Sequence, residues 1–145
     1  MQRVNEARVR VDGEVTGEVI GEIGPGLCVL VGVTHSDTEV VAGRLAEKVW
    51  NLRIFDDADA NMGVSVADGT GALLVISQFT LYGDTSRGRR PSWIAAARPE
   101  VAEPLVELFI GSLRELGATV ATGRFGADMA VELVNDGPVT VMVEV

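Results

Sequence analysis

The chain has 145 residues, 47% of them hydrophobic, and a formal net charge of −9 at pH 7. This length fits one domain with one core, so we expect residues 1–145 to form a single domain. The acidic balance argues against a protein that coats nucleic acid through its phosphates, and no apolar run approaches the roughly 20 residues of a membrane span, so we expect a cytoplasmic protein that binds no membrane.

Alternating apolar residues near the N-terminus predict a β-hairpin followed by a buried strand. The hairpin turn is placed at Asp12-Gly13, because this pair supplies the positive φ that a tight turn needs. The following strand, over residues 27–33, contains the single cysteine, Cys28, whose apolar neighbours indicate a buried and inert thiol. The hairpin's apolar residues lie on both sides of the turn: Val9, Val11, Val15, Val19 and Ile23.

The next segment predicts a helix and then a central strand. Ser36 and Glu39 match the S-x-x-E capping box that marks a helix start. Residues 56–63 are polar and rich in turn formers, and the most apolar run of the chain then predicts a strand over residues 72–79. The predicted apolar face of the helix consists of residues at helical spacing: Val40, Val41, Leu45, Val49 and Leu52.

The second half of the chain predicts another helix between a long loop and further strands. The loop covers residues 82–98, and loops of this length often carry function. Pro99 and Pro104 suit the opening of the helix and Gly117 its end, with an apolar stripe of Val101, Leu105, Leu108, Phe109, Leu113 and Leu116. Strands are predicted over residues 118–122, 129–134 and 139–145. The pattern is that of a mixed α/β domain with mostly antiparallel or mixed sheets.

Catalysis by the usual pairs of nucleophile and base has little support in the sequence. His35 is the only histidine and lies at a predicted helix start, where exposure or capping is its expected role. No cysteine and histidine cluster has metal-ligand spacing, and Gly21, Gly24 and Gly26 fit neither a P-loop nor a dinucleotide fingerprint, so we expect no metal and no cofactor. What remains is chemistry by hydroxyls, amides and backbone N–H groups on an activated substrate.

Two polar segments interrupt apolar strands and form the candidate site. Ser77-Gln78-Phe79-Thr80-Leu81 closes the central strand, so its polar groups stand on a rigid element, as a preorganised site requires. Asn135-Asp136-Gly137-Pro138-Val139-Thr140 interrupts the last strand region. A basic cluster of Arg87, Arg89 and Arg90 follows the first segment, and it is either a solvated loop or a small local contact with nucleic acid.

Together, these two segments resemble the paired signature of bacterial D-aminoacyl-tRNA deacylases. An aminoacyl ester on the terminal ribose of tRNA suits a site without a strong base, because the neighbouring 2′-hydroxyl can assist its hydrolysis. The resemblance implies a barrel-like arrangement of sheets with two main helices, and release of D-amino acid from D-aminoacyl-tRNA. Shorter matches extend it along nearly the whole chain: Gln2-Arg3-Val4, Asp12-Gly13-Glu14-Val15, Arg53-Ile54-Phe55, Gly88-Arg89-Arg90-Pro91-Ser92, Gly123-Arg124-Phe125, Ala127-Asp128-Met129 and Val131-Glu132-Leu133-Val134.

The resemblance also implies a homodimer whose active site lies at the subunit interface. Gly137-Pro138 would be a Gly-cis-Pro element whose carbonyls engage the substrate's α-amino group in the partner's pocket, leaving no room for an L side chain. Such a pocket excludes by shape, so it would accept D-amino acids broadly and admit glycine. Arg87, Arg89 and Arg90 are candidate tRNA contacts, and no DNA partner is expected.

The segment Ser77, Gln78, Phe79 and Thr80 would face the scissile ester. The resemblance implies an oxyanion site at backbone N–H groups here, at Phe79, with Gln78 orienting the substrate and the Phe79 ring against the terminal adenosine. Thr80 has no visible partner base, which favours a positioning role while the ribose 2′-hydroxyl assists attack by water. Two alternatives stay open: a non-catalytic dimeric binding module of the same fold, and a small-molecule hydrolase that uses Thr80 or Ser77 directly.

Overall fold

The structure, a computed structural model, describes residues 1–11 and 17–145, and the predicted Asp12-Gly13 turn lies outside them. Within the described residues no helix is long and apolar enough to cross a membrane. The elements in chain order are β1 (Gln2–Val11), β2 (Val19–Ile23), β3 (Gly26–Val31), α1 (Glu39–Asn51), β4 (Phe55–Asp56), β5 (Met62–Val64), β6 (Ala72–Ser77), a 3-10 turn (Phe79–Tyr82), α2 (Pro99–Glu115), β7 (Val120–Thr122) and β8 (Met129–Thr140).

A mixed sheet in the order β2-β1-β3-β6-β7 curls into a nearly closed barrel. Strand β1 is antiparallel to β2, β3 and β8, whereas β6 is parallel to β3 and β7. At the gap between β2 and β7, a Cβ on Gly21 would lie 2.6 Å from the carbonyl oxygen of Thr122, so glycine permits this approach. The expectation of a mixed α/β fold with a barrel-like sheet and two helices is confirmed.

Strands β3 and β6 are buried on both faces, which explains why they read as continuous apolar runs. Alternate side chains face the two helices, and these include Leu27, Val29, Leu73 and Val75. The others face the barrel interior, where Cys28 is 1% exposed beside Leu74 and Ile76. The prediction of a buried cysteine is confirmed, and burial raises the pKa of the Cys28 thiol, which disfavours the reactive thiolate.

The first helix begins later than its capping signal predicts. The N-cap of α1 is Thr38, whose hydroxyl accepts a hydrogen bond from the Val41 N–H at 3.4 Å, so the predicted capping box at Ser36 is wrong. The predicted apolar face is also displaced, because Ala42, Ala46 and Val49 are buried while Val40 is 70% exposed. Two small alanines on this face allow α1 to pack closely against its neighbours.

The second helix follows its prediction more closely. Helix α2 has Pro99 as its first residue and buries Leu105, Phe109 and Leu113. Gly117, at a φ of +103°, follows its end and donates its N–H to the Arg114 carbonyl. The predicted stripe is wrong at its two ends, since Val101 and Leu116 are exposed.

Several strand boundaries also differ from the sequence expectation. β3 ends at Val31, β6 ends at Ser77 where the chain turns into the 3-10 turn, and β7 begins at Val120. The two strands predicted over residues 129–134 and 139–145 are one strand, β8, which ends at Thr140. Its register against β1 shifts between Gln2 and Val4 and between Val4 and Glu6, and these irregularities accommodate the polar segment within the strand.

Candidate active site

A cavity of about 550 Å³ opens where β3 and β6 end. Ligand sites commonly lie beyond the carboxyl ends of parallel strands, because the loops that follow them converge there. Residues 31–33 and 76–79 form one side of the cavity, and residues 125–129 together with Val131 form another. The remaining wall comes from the loop and helix after residue 92, through Trp93, Ala96, Ala97, Pro99, Ala102 and Val106.

The predicted catalytic segment lies at this cavity. Ser77, Gln78 and Phe79 line it, with Ser77 at the end of β6 and Phe79 opening the 3-10 turn. The Gln78 N–H is already used, since it donates to the Val31 carbonyl at 2.7 Å. The Phe79 N–H is at the start of a helical turn, where backbone donors have no intrahelical acceptor, and it makes no hydrogen bond within the described residues. One backbone donor is therefore free beside the cavity.

Thr80 lies next to this donor but is not among the residues that line the cavity. Its hydroxyl accepts a hydrogen bond from the Gln78 side-chain amide. No histidine or carboxylate bonds the hydroxyl of Ser77 or Thr80 in the part of the chain that the structure describes, and His35 instead contacts the Ile94 carbonyl. Asp128, a carboxylate of the cavity lining, is exposed. Among the described residues the site thus offers hydroxyls and amides to which no histidine or carboxylate is hydrogen-bonded.

The second polar segment is held by a buried arginine that the sequence analysis did not single out for a role. Arg3 is 5% exposed, and its guanidinium Nε lies 3.0 Å from the Asp136 carboxylate. Its Nη1 donates to the Ile54 carbonyl at 2.9 Å and lies 3.4 Å from the Asp56 carboxylate. The rigid fork of arginine suits this set of acceptors. Arg3 therefore ties the segment that contains Asp136, Gly137 and Pro138 to strand β1.

The backbone conformation and the close neighbours at position 137 require glycine. Its φ is +111°, and a Cβ there would lie 3.1 Å from Nη2 of Arg3. The peptide bond between Gly137 and Pro138 is cis, and both residues are exposed. Neither of them lines the cavity that contains Ser77, Gln78 and Phe79, and the two predicted segments meet only at their ends, where Leu81 and Thr140 line a second cavity of about 270 Å³.

The arginine cluster lies on a separate loop. Two backbone hydrogen bonds between Asp84 and Ser92, at 2.8 and 2.9 Å, close this loop at its base. Arg87, Arg89 and Arg90 lie between these residues and are all exposed. The Asp84 side chain accepts a hydrogen bond from the Ser86 N–H, and this bond lowers the pKa of Asp84. The cluster does not line the cavity, although its loop leads directly into Trp93.

Trp93 is a cavity residue that sequence reasoning missed. Its ring lies edge-on to the Phe79 ring, with centroids 5.5 Å apart and an interplanar angle of 74°. Both rings are partly open to solvent, at 41% and 56% exposure. The sequence feature that could have indicated it is its position, because Trp93 directly follows Gly88-Arg89-Arg90-Pro91-Ser92, one of the segments that carry the family resemblance. Among the described residues no group of three or more His, Cys, Asp or Glu side chains could hold a metal ion.

Comparison with known proteins gives consistent matches over the full length. Residues 1–144 match the family model described as D-Tyr-tRNA(Tyr) deacylase. A protein of Streptomyces coelicolor named D-aminoacyl-tRNA deacylase is 59% identical over 145 residues, covering 100% of this chain and 97% of that protein. A Brevibacillus brevis protein of the same name is 57% identical over 144 residues, covering 99% of this chain and 97% of that protein.

Solved structures show the same fold. A structure titled "c-Myc DNA Unwinding Element Binding Protein" has a TM-score of 0.91 at 37% identity, and the match covers 99% of this chain and 95% of that chain. A second structure, titled "Structural Analysis of a probable eukaryotic D-amino acid tRNA deacylase", has a TM-score of 0.81 at 15% identity, and the match covers 94% of this chain and 92% of that chain.

Proposed function

Because the chain belongs to the D-Tyr-tRNA(Tyr) deacylase family, and is thereby an ester hydrolase of the D-aminoacyl-tRNA deacylase type, we propose how its cavity performs this reaction. The cavity binds the aminoacylated 3′ end of tRNA, and water cleaves the ester to give free D-amino acid and tRNA. The substrate range extends to glycyl-tRNA. The observation that carries the proposal is the free Phe79 N–H beside a cavity that lacks a paired base.

The free N–H of Phe79 is suited to the oxyanion step. Water adds to the ester carbonyl, and the negative charge develops on the carbonyl oxygen, where a fixed N–H donor stabilises it. The bond to the ribose 3′ oxygen then breaks, and that oxygen leaves with a proton derived from the water. Gln78 and Thr80, bonded to each other, orient the ester, and the ribose 2′-hydroxyl assists the water. Positioning and electrostatics replace the missing base.

Selection for the D configuration comes from the partner protomer in this proposal. Gly137 and Pro138 are exposed, lie outside their own cavity and are anchored through Asp136 to the buried Arg3. A turn held in this way can enter the cavity of a second copy and restrict the space beside the substrate's α-amino group. An L side chain is then excluded by shape, whereas a D side chain or the hydrogen of glycine fits.

The arginine loop contacts the tRNA backbone in this proposal. Arg87, Arg89 and Arg90 are exposed on a loop whose end leads to the cavity through Trp93. On a chain with a net charge of −9, a local cluster of cations gives phosphate a defined place to bind without general attraction to nucleic acid.

The proposal is tested by hydrolysis of matched substrates. Purified protein at micromolar concentration is mixed with D-tyrosyl-, L-tyrosyl- and glycyl-tRNA, and the remaining ester is measured with time. We expect the D ester to be cleaved at least about 1,000-fold faster than the L ester, since editing needs discrimination of roughly that size. Glycyl-tRNA should also be cleaved. Intact D-tyrosyl-tRNA after incubation would refute the enzymatic assignment.

A non-catalytic binding module of the same fold is the second candidate. The observation in its favour is the similarity to the solved c-Myc DNA unwinding element binding protein, whose name describes binding to DNA. The net charge of −9 disfavours it, because backbone binding depends on cations that neutralise phosphates. Binding of labelled DNA at physiological salt, combined with no loss of D-tyrosyl-tRNA, would support this second candidate over the first.

A further inference from the structure

Two adjacent side chains after β3 hold the loop that forms one wall of the cavity. The Thr34 hydroxyl donates to the Ala95 carbonyl at 2.6 Å, and His35 Nε2 lies 2.7 Å from the Ile94 carbonyl oxygen. A carbonyl oxygen only accepts, so Nε2 carries the proton in this bond. Backbone contacts continue the attachment, since Thr34 forms a β-bridge with Ala96. We call the Thr34 and His35 side chains, with these two bonds, the latch.

The loop held by the latch carries Trp93, which directly follows Ser92, and Ser92 is paired with Asp84 by two backbone hydrogen bonds. Ile94 is 84% exposed, so its side chain does not anchor the loop. The indole of Trp93 lies directly over Gly83, where a Cβ would be 2.3 Å from the ring, and meets the Phe79 ring edge-on. The main chain is therefore held before Trp93 by the pairing of Ser92 with Asp84, and directly after it by the latch bonds to Ile94 and Ala95.

We infer that Thr34 and His35 are positioning residues that hold Trp93 against Phe79, so that the two rings form a ready surface for the terminal nucleobase of the substrate. This inference rests on the proposed function and adds two residues outside the ester-cleaving segment. Aromatic side chains bind single-stranded bases by stacking, and two partly exposed rings at a cavity rim suit this role. A loop fixed before binding does not have to be ordered by the ligand.

The latch should act on binding rather than on the chemical step. The Phe79 N–H and the Gln78 and Thr80 side chains follow β6, which is paired on both sides by β3 and β7. Loosening the latch leaves that sheet intact and frees only the wall that carries Trp93. An interaction made equally with substrate and transition state changes KM and leaves kcat nearly constant.

Matched pairs of variants separate the hydrogen bonds from general packing. Thr34→Val removes the hydroxyl at nearly constant shape, and Thr34→Ser keeps it. His35→Ala removes the N–H donor, and His35→Gln keeps a donor. For D-tyrosyl-tRNA hydrolysis we expect KM to rise about threefold in Thr34→Val and His35→Ala and about tenfold in the double variant, the range expected for single exposed hydrogen bonds. The value of kcat should stay within about twofold, and the Ser and Gln variants should resemble wild type.

A binding measurement tests the latch without catalysis. In a Trp50→Phe background, Trp93 is the remaining tryptophan, and its fluorescence is followed during titration with adenosine 5′-monophosphate. We expect quenching, and about threefold more nucleotide for half-saturation in Thr34→Val. Equal titrations and equal KM values in wild type, Thr34→Val and His35→Ala would overturn the latch. Absence of D-tyrosyl-tRNA hydrolysis by wild type would instead refute the proposed function, while the nucleotide titration would still decide the latch.

Discussion

At the scale of single residues, the hydroxyl of Thr80 lacks what a nucleophile needs, and we propose for it an orienting role only. An alcohol attacks an ester efficiently only when a neighbouring base takes its proton. The hydroxyl is bonded to the Gln78 amide, which is a poor base, and His35 is occupied at the Ile94 carbonyl. Together, Gln78 and Thr80 form a neutral pair that can hold a substrate in one orientation.

This placement predicts the kinetics of Thr80 variants. Thr80→Ala should lower kcat for D-tyrosyl-tRNA by about tenfold, because it removes one orienting hydrogen bond, and Thr80→Ser should recover most of that loss. A nucleophile would instead lose roughly 1,000-fold or more on conversion to alanine. Single-turnover rates with saturating enzyme distinguish these outcomes, and a loss of the larger size would contradict the positioning role.

Arg3 is the residue on which the second segment depends most directly. Replacing it with methionine leaves the Asp136 and Asp56 carboxylates and the Ile54 carbonyl without their shared partner. Both carboxylates are about half exposed, at 44% and 49%, so water can replace part of the loss. We expect the free energy of unfolding to fall by about 2 kcal/mol in Arg3→Met, measured by urea denaturation.

Arg8→Met provides the matched control on the same strand. Arg8 also lies near two carboxylates, those of Glu6 and Glu22, but on the barrel surface. Surface pairs contribute little, so the change should be below about 0.5 kcal/mol. Equal losses in the two variants would show that Arg3 does not hold the turn through its buried contacts.

At the scale of elements, the sequence predicted the helices and the buried strands well and the strand that contains the second polar segment poorly. The apolar runs of β3 and β6 and the Leu105, Phe109 and Leu113 stripe are local patterns, and the structure contains them. The two predicted strands join into the single strand β8 because they pair with β1, which lies more than 115 residues away in sequence. Local turn signals at Gly137 and Pro138 cannot reveal such a partner.

The same difference between local patterns and long-range contacts applies to the residues at the site. The position of the segment after β6 at the cavity could be predicted, because polar residues at the end of a buried strand are visible locally. Arg3 and Trp93 could not be assigned roles in this way, since each acts through residues distant in sequence, Asp136 and Phe79 respectively. The cap at Thr38 was missed for a different reason, namely that Ser36 offered an equally good local signal.

The arginine loop supports a prediction about salt. Conversion of Arg87, Arg89 and Arg90 to glutamine should raise KM for D-tyrosyl-tRNA and reduce the slope of log KM against log salt concentration by about 2, for three lost phosphate contacts on single-stranded nucleic acid. Discrimination between D and L esters should not change, because the loop does not line the cavity.

The matched control is a triple variant in which Arg44, Arg53 and Arg114 are replaced by glutamine, because it removes the same number of positive charges. These residues are also exposed, and none lines the cavity. If both triple variants change the salt slope equally, the effect comes from net charge, and the loop makes no specific contact with tRNA.

At the scale of the whole molecule, the cavity and the Gly137-Pro138 turn lie apart within one chain, which is why we propose that a dimer completes the site. The cavity contains residues 77–79, while Gly137 and Pro138 are exposed elsewhere on the same chain. In a two-fold symmetric dimer, each copy can supply its turn to the other's cavity, so two complete sites form at once. This arrangement predicts that defects in different halves complement each other.

Complementation can be measured with two inactive variants. Gln78→Ala removes an orienting group from the cavity, and Gly137→Ala displaces the turn, since a Cβ there would crowd Arg3 and Val139. Co-expression with two different affinity tags and sequential purification isolates the heterodimer. One of its sites combines an intact cavity with an intact turn, so we expect about half of wild-type activity, whereas each homodimer should be nearly inactive. A heterodimer as inactive as its parents, or a fully active monomer in sedimentation experiments, would show that each protomer builds its site alone.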